Sequence, residues 1–295
     1  MSVPSLSAIT EVLKPITWFP PMWAFTCGAV ASGIPVSNHW RLVILGVLVA
    51  GPLVCATSQV VNDWFDRDVD AINEPNRPIP SGRIPGRWGL YIGILWTLIS
   101  AAVATQLGPW GFGAAMVGLV LAWAYSAPPT RLKKNGWFGN TACAFSYEGL
   151  AWTTGAAVMV GGAMPDTRSL ALALIYSIGA HGIMTLNDFK SIVGDRKMGI
   201  ASLPVQLGVQ GAARLASVVM AVSQIAVVVL LAMWGRVTYA VVIAVLLAIQ
   251  IVLMIRFLKK PIERATWYSG LGVTLFVIGM LVSAFAIRSL IGAES

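Results

Sequence analysis

Five polar side chains follow directly on the first long apolar stretch of the sequence: Asn62, Asp63, Asp66, Asp68 and Asp70. The preceding residues 41–61 are long enough, at about 1.5 Å per residue, to cross a bilayer as a helix. If that helix continues, Asn62, Asp66 and Asp70 lie on one face, because each step of four residues advances by about 40°. Neighbouring carboxylates repel one another unless a cation lies between them, and oxygen ligands suit Mg²⁺. The pattern therefore favours a magnesium site, with a solvated polar helix end as the alternative.

A similar group of polar residues returns late in the chain, at Asn187, Asp188, Ser191 and Asp195. Seven residues separate Asp188 from Asp195, which is about 700° of helix, so we expect both on one face. His181 precedes Asp188 by seven residues and would share that face. A histidine there is a hydrogen-bonded structural residue, a metal ligand or a contact to the polar head of a substrate. This recurrence strengthens the prediction of a metal site.

The elements that position these acids are membrane helices. The 295 residues are 57% hydrophobic and 11% charged, with a mean hydropathy of +0.77. Such a composition excludes an ordinary soluble domain and predicts an all-α polytopic membrane bundle of about nine transmembrane helices in one domain, residues 1–295. Apolar spans can be drawn at residues 16–34, 41–62, 88–106, 109–126, 139–160, 168–187, 212–233, 237–257 and 268–290.

The basic residues indicate the orientation. When the loops are assigned alternately to two sides, most of the 20 Lys and Arg residues fall on the side that carries both acidic groups. The positive-inside rule then predicts that the N-terminus and the acidic groups face the cytoplasm. The net charge of +8 is spread over short loops, so we expect no nucleic acid partner.

Cations and a phenol flank the acidic groups, and they are candidates for binding a polyanion: Lys14, Arg77, Tyr125, Arg131, Lys133 and Lys190. The run Arg131 to Lys134 is equally explained as topological signal. Beside acids that hold Mg²⁺, however, basic residues can form ion pairs with the phosphate oxygens that the metal does not neutralise. Because the site would open into apolar helices, the anion should carry a hydrocarbon tail. A polyprenyl diphosphate meets both demands.

Other residues leave alternatives open. Trp18 and Trp23 lie in PITWFPPMWAF, which indicates either an interfacial aromatic belt or a wall for an aromatic substrate. Glu148 is an ionisable group at membrane depth, which is either functional or paired with another helix. The three cysteines lack C-x-x-C spacing and support neither a disulfide nor zinc.

At the two acidic segments the chain resembles the UbiA superfamily of intramembrane prenyltransferases. The first motif of that family, N-D-x-x-D-x-x-x-D, is matched in full by Asn62, Asp63, Asp66 and Asp70. The second, D-x-x-D-x-x-x-D, is matched by Asp188 and Asp195, with Ser191 in place of its central acid. Within the superfamily, NEPNRPIPSGRIPGRWGLY and YEGLAWTTGAA resemble the branch of chlorophyll and bacteriochlorophyll synthases.

This resemblance implies esterification of the C17 propionate of bacteriochlorophyllide a with geranylgeranyl or phytyl diphosphate, with Mg²⁺ as cofactor. It implies catalytic roles for Asn62, Asp66, Asp188 and Asp195. Asp63 and Asp70 complete the implied metal surroundings, and the flanking cations and Tyr125 would bind diphosphate. The tetrapyrrole is expected to contact residues with aromatic rings: Trp18, Trp23, Trp64, Phe65, Tyr147 and His181. Proteins that hand over pigment are possible partners.

Three other functions stay open on the sequence. A prenyltransferase could instead act on a quinone precursor, on haem or on a chlorin. A cation-coupled transporter also contains intramembrane acids and helices interrupted by Gly and Pro. A noncatalytic pigment-binding subunit would leave the pigment unaltered.

Overall fold

A computed structural model describes residues 3–294, and helices dominate it throughout. The only extended pairing in that part of the chain is an isolated bridge between Asn135 and Ala201. The thirteen α-helices are α1 Leu6–Leu13, α2 Phe19–Ala31, α3 Trp40–Leu48, α4 Ala56–Asn73, α5 Trp88–Ala104, α6 Gly108–Ser126, α7 Gly136–Ala144, α8 Ala151–Met159, α9 Thr167–Asn187, α10 Ile192–Lys197, α11 Leu203–Met233, α12 Val237–Lys259 and α13 Pro261–Glu294.

The prediction of an all-α membrane architecture is confirmed. Within residues 3–294, six helical stretches are long and apolar enough to cross a membrane: Trp40–Ile72, Trp88–Ser126, Thr167–Lys190, Leu203–Met233, Val237–Lys259 and Pro261–Gly292. The second of these folds back on itself, since Trp123 Nε1 donates to Thr97 Oγ1 at 3.0 Å. In one continuous helix those residues would be about 39 Å apart. The count of nine crossings stays a prediction.

Two wide π-helical turns interrupt the helices that enclose the centre of the bundle. The first, Val49–Cys55, joins α3 to α4 and contains Pro52. Proline lacks an N–H and its ring clashes with the carbonyl four residues before it, so a wider turn accommodates it within a continuing helix. The second, Phe145–Leu150, joins α7 to α8. Both turns change which residues of their helices face inward.

Small residues allow close helix packing around these turns. A Cβ on Gly28 of α2 would lie 1.9 Å from the Trp152 carbonyl oxygen, and one on Gly155 of α8 would lie 2.0 Å from that of Phe25. Such close backbone approach is how apolar helices associate in a membrane. A buried hydrogen-bond chain from Gln224 through Gln250 to Tyr268 joins α11, α12 and α13.

The loop after α4 is ordered against the bundle. Its prolines prevent a continuous helix, as the sequence predicts, and its side chains Ile79 and Ile84 are buried against Val12 of α1 and Val60 of α4. Arg83 Nη2 donates to Glu11 Oε1 at 2.8 Å, which ties this loop to α1. The loop therefore holds Arg77 beside the acidic end of α4.

Candidate active site

The helix does continue through the first acidic group, and α4 ends only at Asn73. Asn62, Asp66 and Asp70 therefore lie on one side of the helix, as expected, but their side chains bond different partners. Asn62 Nδ2 donates to Asp66 Oδ2 at 3.1 Å, whereas Asp70 shares Arg77 with Asp63. Asp63 and Asp70 are seven residues apart, nearly two full turns, so they lie over one another.

Four of the predicted anion-binding cations lie against these acids. Lys14 Nζ is 2.6 Å from Asp63 Oδ1, and Arg77 Nη1 is 2.9 Å from Asp70 Oδ2. Asp66 pairs with Lys133 and, at 3.6 Å, with Arg131 Nη2. Burial lowers the pKa of Lys133, and the Asp66 carboxylate opposes that shift. Three separate loops thus bring positive charge to one helix end.

Lys14 and Arg131 also share an unusual backbone conformation. They are the non-glycine residues with positive φ in the described part of the chain, at 48° and 40°. Such conformations cost free energy in L-residues and persist where the surrounding structure imposes them, often at functional sites. Here each immediately precedes a 3-10 turn, Pro15–Thr17 or Leu132–Lys134, and its side chain pairs with an acid of the first motif.

The second acidic group is built differently from the expected continuous helix. The helix α9 ends at Asn187, a 3-10 turn covers Asp188–Lys190, and α10 begins at Ile192. Asp188 Oδ2 accepts from Asn140 Nδ2 at 3.0 Å, and Asp195 Oδ2 accepts from Ser191 Oγ at 2.8 Å. Asp188 and Asp195 still interact electrostatically.

The end of α6 lies between the two motifs. Ser126 Oγ accepts from Asn62 Nδ2 at 3.1 Å, and its neighbour Tyr125 is within electrostatic range of both Asp66 and Asp188. A Cβ on Gly139, next to Asn140, would lie 3.5 Å from the Tyr125 ring. The two acid-rich ends therefore converge on the same space.

A cavity that is partly open to solvent extends from this space into the bundle. Asn62 and Tyr125 line its charged end, and Tyr147 lies between them and the apolar end. Tyr147 Oη accepts from Gln59 Nε2 at 3.1 Å. The remaining wall is mostly apolar and extends to a far group of lining residues: Pro21, Phe25, Gly46, Val49, Leu107 and Ala115. An apolar chain fits this cavity.

The acids do not form a metal site on their own. Among residues 3–294, no three His, Cys, Asp or Glu side chains are grouped closely enough to hold a metal ion. However, Asp63 Oδ2 is buried with no hydrogen-bond partner in the described chain, and Asp66 Oδ1 has only cations beside it. Mg²⁺ is usually held by one or two carboxylates plus substrate phosphates, and this donor set fits such a shared ion.

Several predicted aromatic contacts lie outside the cavity lining. Trp18 Nε1 donates to the Leu13 carbonyl at 2.8 Å, and Trp23 Nε1 donates to that of Val277 at 3.0 Å. His181 stacks on Trp137, with ring centroids 5.8 Å apart. The Trp64 ring contacts the guanidinium group of Arg67, and the Phe65 ring packs edge-to-face against Trp123.

Two charged candidates also lie elsewhere. Lys190 lines a separate groove beside α13, and Glu148 is buried but does not line the cavity. The residue that sequence reasoning missed is Asn140. It belongs to an apolar span, and only its contact with Asp188 reveals its importance.

Comparison with known proteins agrees with this geometry. The sequence model of the UbiA prenyltransferase family matches residues 19–277. The "Bacteriochlorophyll synthase 33 kDa chain" of Cereibacter sphaeroides is 56% identical, over 98% of this chain and 95% of that one. The "Chlorophyll synthase, chloroplastic" of Avena sativa is 39% identical, over 94% and 75%.

A solved structure has the same fold. A UbiA homologue from Archaeoglobus fulgidus, bound to GPP and Mg²⁺, superimposes with a TM-score of 0.71 at 21% identity, covering 96% of this chain and 99% of that one. Together with the match to the family's sequence model over most of the chain, these findings establish that the protein belongs to the UbiA prenyltransferase family.

Proposed function

We propose that this protein transfers a geranylgeranyl or phytyl group from its diphosphate to the C17 propionate of bacteriochlorophyllide a, as one integral membrane domain. The observation that carries the proposal is the continuity between the charged site and the apolar cavity, because Asn62 and Tyr125 belong to both. The charged end suits a diphosphate group, and the apolar end suits the hydrocarbon tail attached to it. The relatives named bacteriochlorophyll synthase support the tetrapyrrole acceptor.

The cations around the first motif hold the diphosphate. Lys14, Arg77, Arg131 and Lys133 already surround the space above Asp63 and Asp66. Arg77 and Arg131 can each bind two phosphate oxygens, because the guanidinium presents parallel donors. We leave Lys190 out of this set, since it lines another groove.

Asn62 and Asp66 of one motif and Asp188 and Asp195 of the other would hold Mg²⁺ together with the diphosphate. When bound, it neutralises the phosphate charge and makes diphosphate a better leaving group. The Archaeoglobus fulgidus relative, solved with GPP and Mg²⁺, supports a divalent metal in this role.

The remaining chemistry needs little from the chain beyond placement. The bond between the allylic carbon and the diphosphate oxygen breaks, and its electron pair leaves with diphosphate. A propionate is ionised near neutral pH, so one of its oxygens can form the new ester bond without a strong general base. The largely apolar wall of the cavity below Asn62 limits the access of water to the allylic cation. We place this site on the cytoplasmic side of a bacterial inner membrane.

A pigment extraction assay tests the proposal. The purified protein is incubated with bacteriochlorophyllide a and geranylgeranyl diphosphate, with Mg²⁺ or with a chelator, and the esterified pigment is measured by chromatography. We expect ester only with Mg²⁺. Parallel arms contain a chlorophyllide, a quinone precursor or haem as the acceptor. Consumption of the quinone precursor alone would overturn the proposed acceptor, and cation flux into proteoliposomes without prenyl transfer would favour a transporter.

A further inference from the structure

A groove separate from the main cavity lies on the outer side of the second motif. It is bounded by residues 186–196, by the first turns of α13 and by Val209 of α11. Lys190 and Arg196 line it from one side, and the hydroxyl-bearing Thr266 and Ser269 line it from the other. The groove shares no lining residue with the cavity that ends at Asn62. It therefore requires its own explanation.

The two cations of this groove form no ion pair within the described protein. Within residues 3–294, neither the Lys190 nor the Arg196 side chain has an ion-pair or hydrogen-bond partner, and both side chains are exposed. The acids near these two cations, in sequence or at the start of α13, bond other side chains. Asp195 accepts from Ser191, and Glu263 pairs with Lys260 at 2.9 Å. Two unpaired cations on one groove attract an anion.

Apolar side chains accompany these cations. Val193 is 69% exposed and Ile262 is 60% exposed, and both line the groove. Exposed apolar surface next to charge suits a ligand with both a charged and a hydrocarbon part. The groove also begins where the apolar span Thr167–Lys190 ends, which is the depth of lipid headgroups. Basic pockets between membrane helices at that depth bind anionic lipids.

We infer that this groove binds an anionic phospholipid, with the phosphate between Lys190 and Arg196 and an acyl chain against Val193 and Ile262. The Thr266 and Ser269 hydroxyls donate to headgroup or ester oxygens. This site is independent of the proposed reaction, because no residue of the metal motifs is needed to bind the lipid. An amphiphile of this kind would stabilise the turn that carries Asp188 from its outer side.

Native mass spectrometry of the full chain in detergent tests the inference directly. The protein is titrated with phosphatidylglycerol, with phosphatidylcholine of the same acyl chains, and with glycerol phosphate. We expect phosphatidylglycerol to bind at least tenfold more tightly than either of the others. Equal binding of the two lipids would overturn the requirement for an anion. Equal binding of glycerol phosphate would assign the groove to a free phosphate instead of a lipid.

Matched variants locate the site. Arg196→Gln should weaken phosphatidylglycerol binding about fivefold, the effect of one basic residue at a membrane surface. Lys197→Gln removes the adjacent exposed cation, which does not line the groove, and should leave binding unchanged. Thr266→Trp should block the groove, whereas Thr274→Trp, two turns further along α13 and also exposed, should not. Equal effects within either pair would exclude this groove as the lipid site. Because lipid binding is measured without prenyl transfer, its failure is distinguishable from failure of the proposed reaction.

Discussion

The side-chain amide of Asn140 donates a hydrogen bond of 3.0 Å to Asp188, and so joins α7 to the second acidic motif. Asn140 is 6% exposed and also lies 3.4 Å from Thr185 Oγ1. Partners that orient a metal ligand usually affect metal affinity or activity about 10- to 100-fold. We expect Asn140→Ala to lower the rate of prenyl transfer by that factor and to raise the Mg²⁺ concentration required. Rates measured across a Mg²⁺ series check this.

Thr141→Ala is the control for Asn140. Thr141 is the next residue of the same helix, is exposed and has no side-chain hydrogen bond in the described chain. It should behave like the wild type. If both variants showed the same Mg²⁺ dependence, Asn140 would have no role in positioning Asp188.

Asp66→Ala should abolish turnover while leaving the protein folded. Asp66 bonds Asn62 and faces Lys133 and Arg131, so its removal takes one carboxylate from the space between the motifs. Losing a group that stabilises developing charge typically costs about 10²-fold or more in rate. Asp68→Ala provides the comparison, since Asp68 lies on the same helix but its side chain is 84% exposed. Single-turnover assays compare the prenyl-transfer rates of the two variants. Normal activity of Asp66→Ala would show that Asp66 does not belong to the active site.

The sequence predicts much of this arrangement, and the failures have physical causes. Continuation of the helix through Asn62 follows from spacing, and so does the order of the loop around Ile79 and Ile84. The π turns do not appear in an apolar pattern, although they decide that Tyr147 and not Glu148 lines the cavity. The spacing also predicts that Asp70 lies on the side of Asn62 and Asp66, but it does not reveal that Asp70 shares Arg77 with Asp63. Long-range contacts such as that of Asn140 leave no local signal.

Asp63 should matter strongly for the stability of the fold. It is 1% exposed, and it accepts from Lys14 at 2.6 Å with Arg77 at 3.5 Å. Removing one member of a buried ion pair costs about 3 kcal/mol or more, because the partner charges stay behind. Asp63→Ala should therefore lower the Tm in detergent markedly. Lys14→Met should lower the Tm less, since Asp63 keeps Arg77. A wild-type Tm in Asp63→Ala would contradict this assignment.

The attachment of α1 should weaken in acid. The hydrogen bond from Arg83 lowers the pKa of the Glu11 carboxyl below its ordinary value of about 4.3. Because the pKa is lowered in the folded protein, the contribution to stability is present above that ordinary value and is lost as the pH falls toward the folded-state pKa. Hydrogen exchange of Leu6–Leu13 should rise on acidification through this range. In Glu11→Gln the hydrogen-exchange rate of α1 should already be raised at pH 7 and should change little on acidification. A pH dependence like that of the wild type would contradict the role of Glu11.

Ala115→Phe should shorten the space for the donor's tail. Ala115 lines the cavity ten residues before Tyr125 on α6, about 15 Å away along the helix axis. Extended chains span about 1.2 Å per bond, so a ring at Ala115 leaves room for a ten-carbon tail but not for a twenty-carbon one. We expect the variant to lose activity with geranylgeranyl diphosphate and to keep most of it with geranyl diphosphate. Val120→Phe, on the same helix and 64% exposed, should alter neither rate. Unchanged activity with both donors would mean that the tail lies outside this cavity.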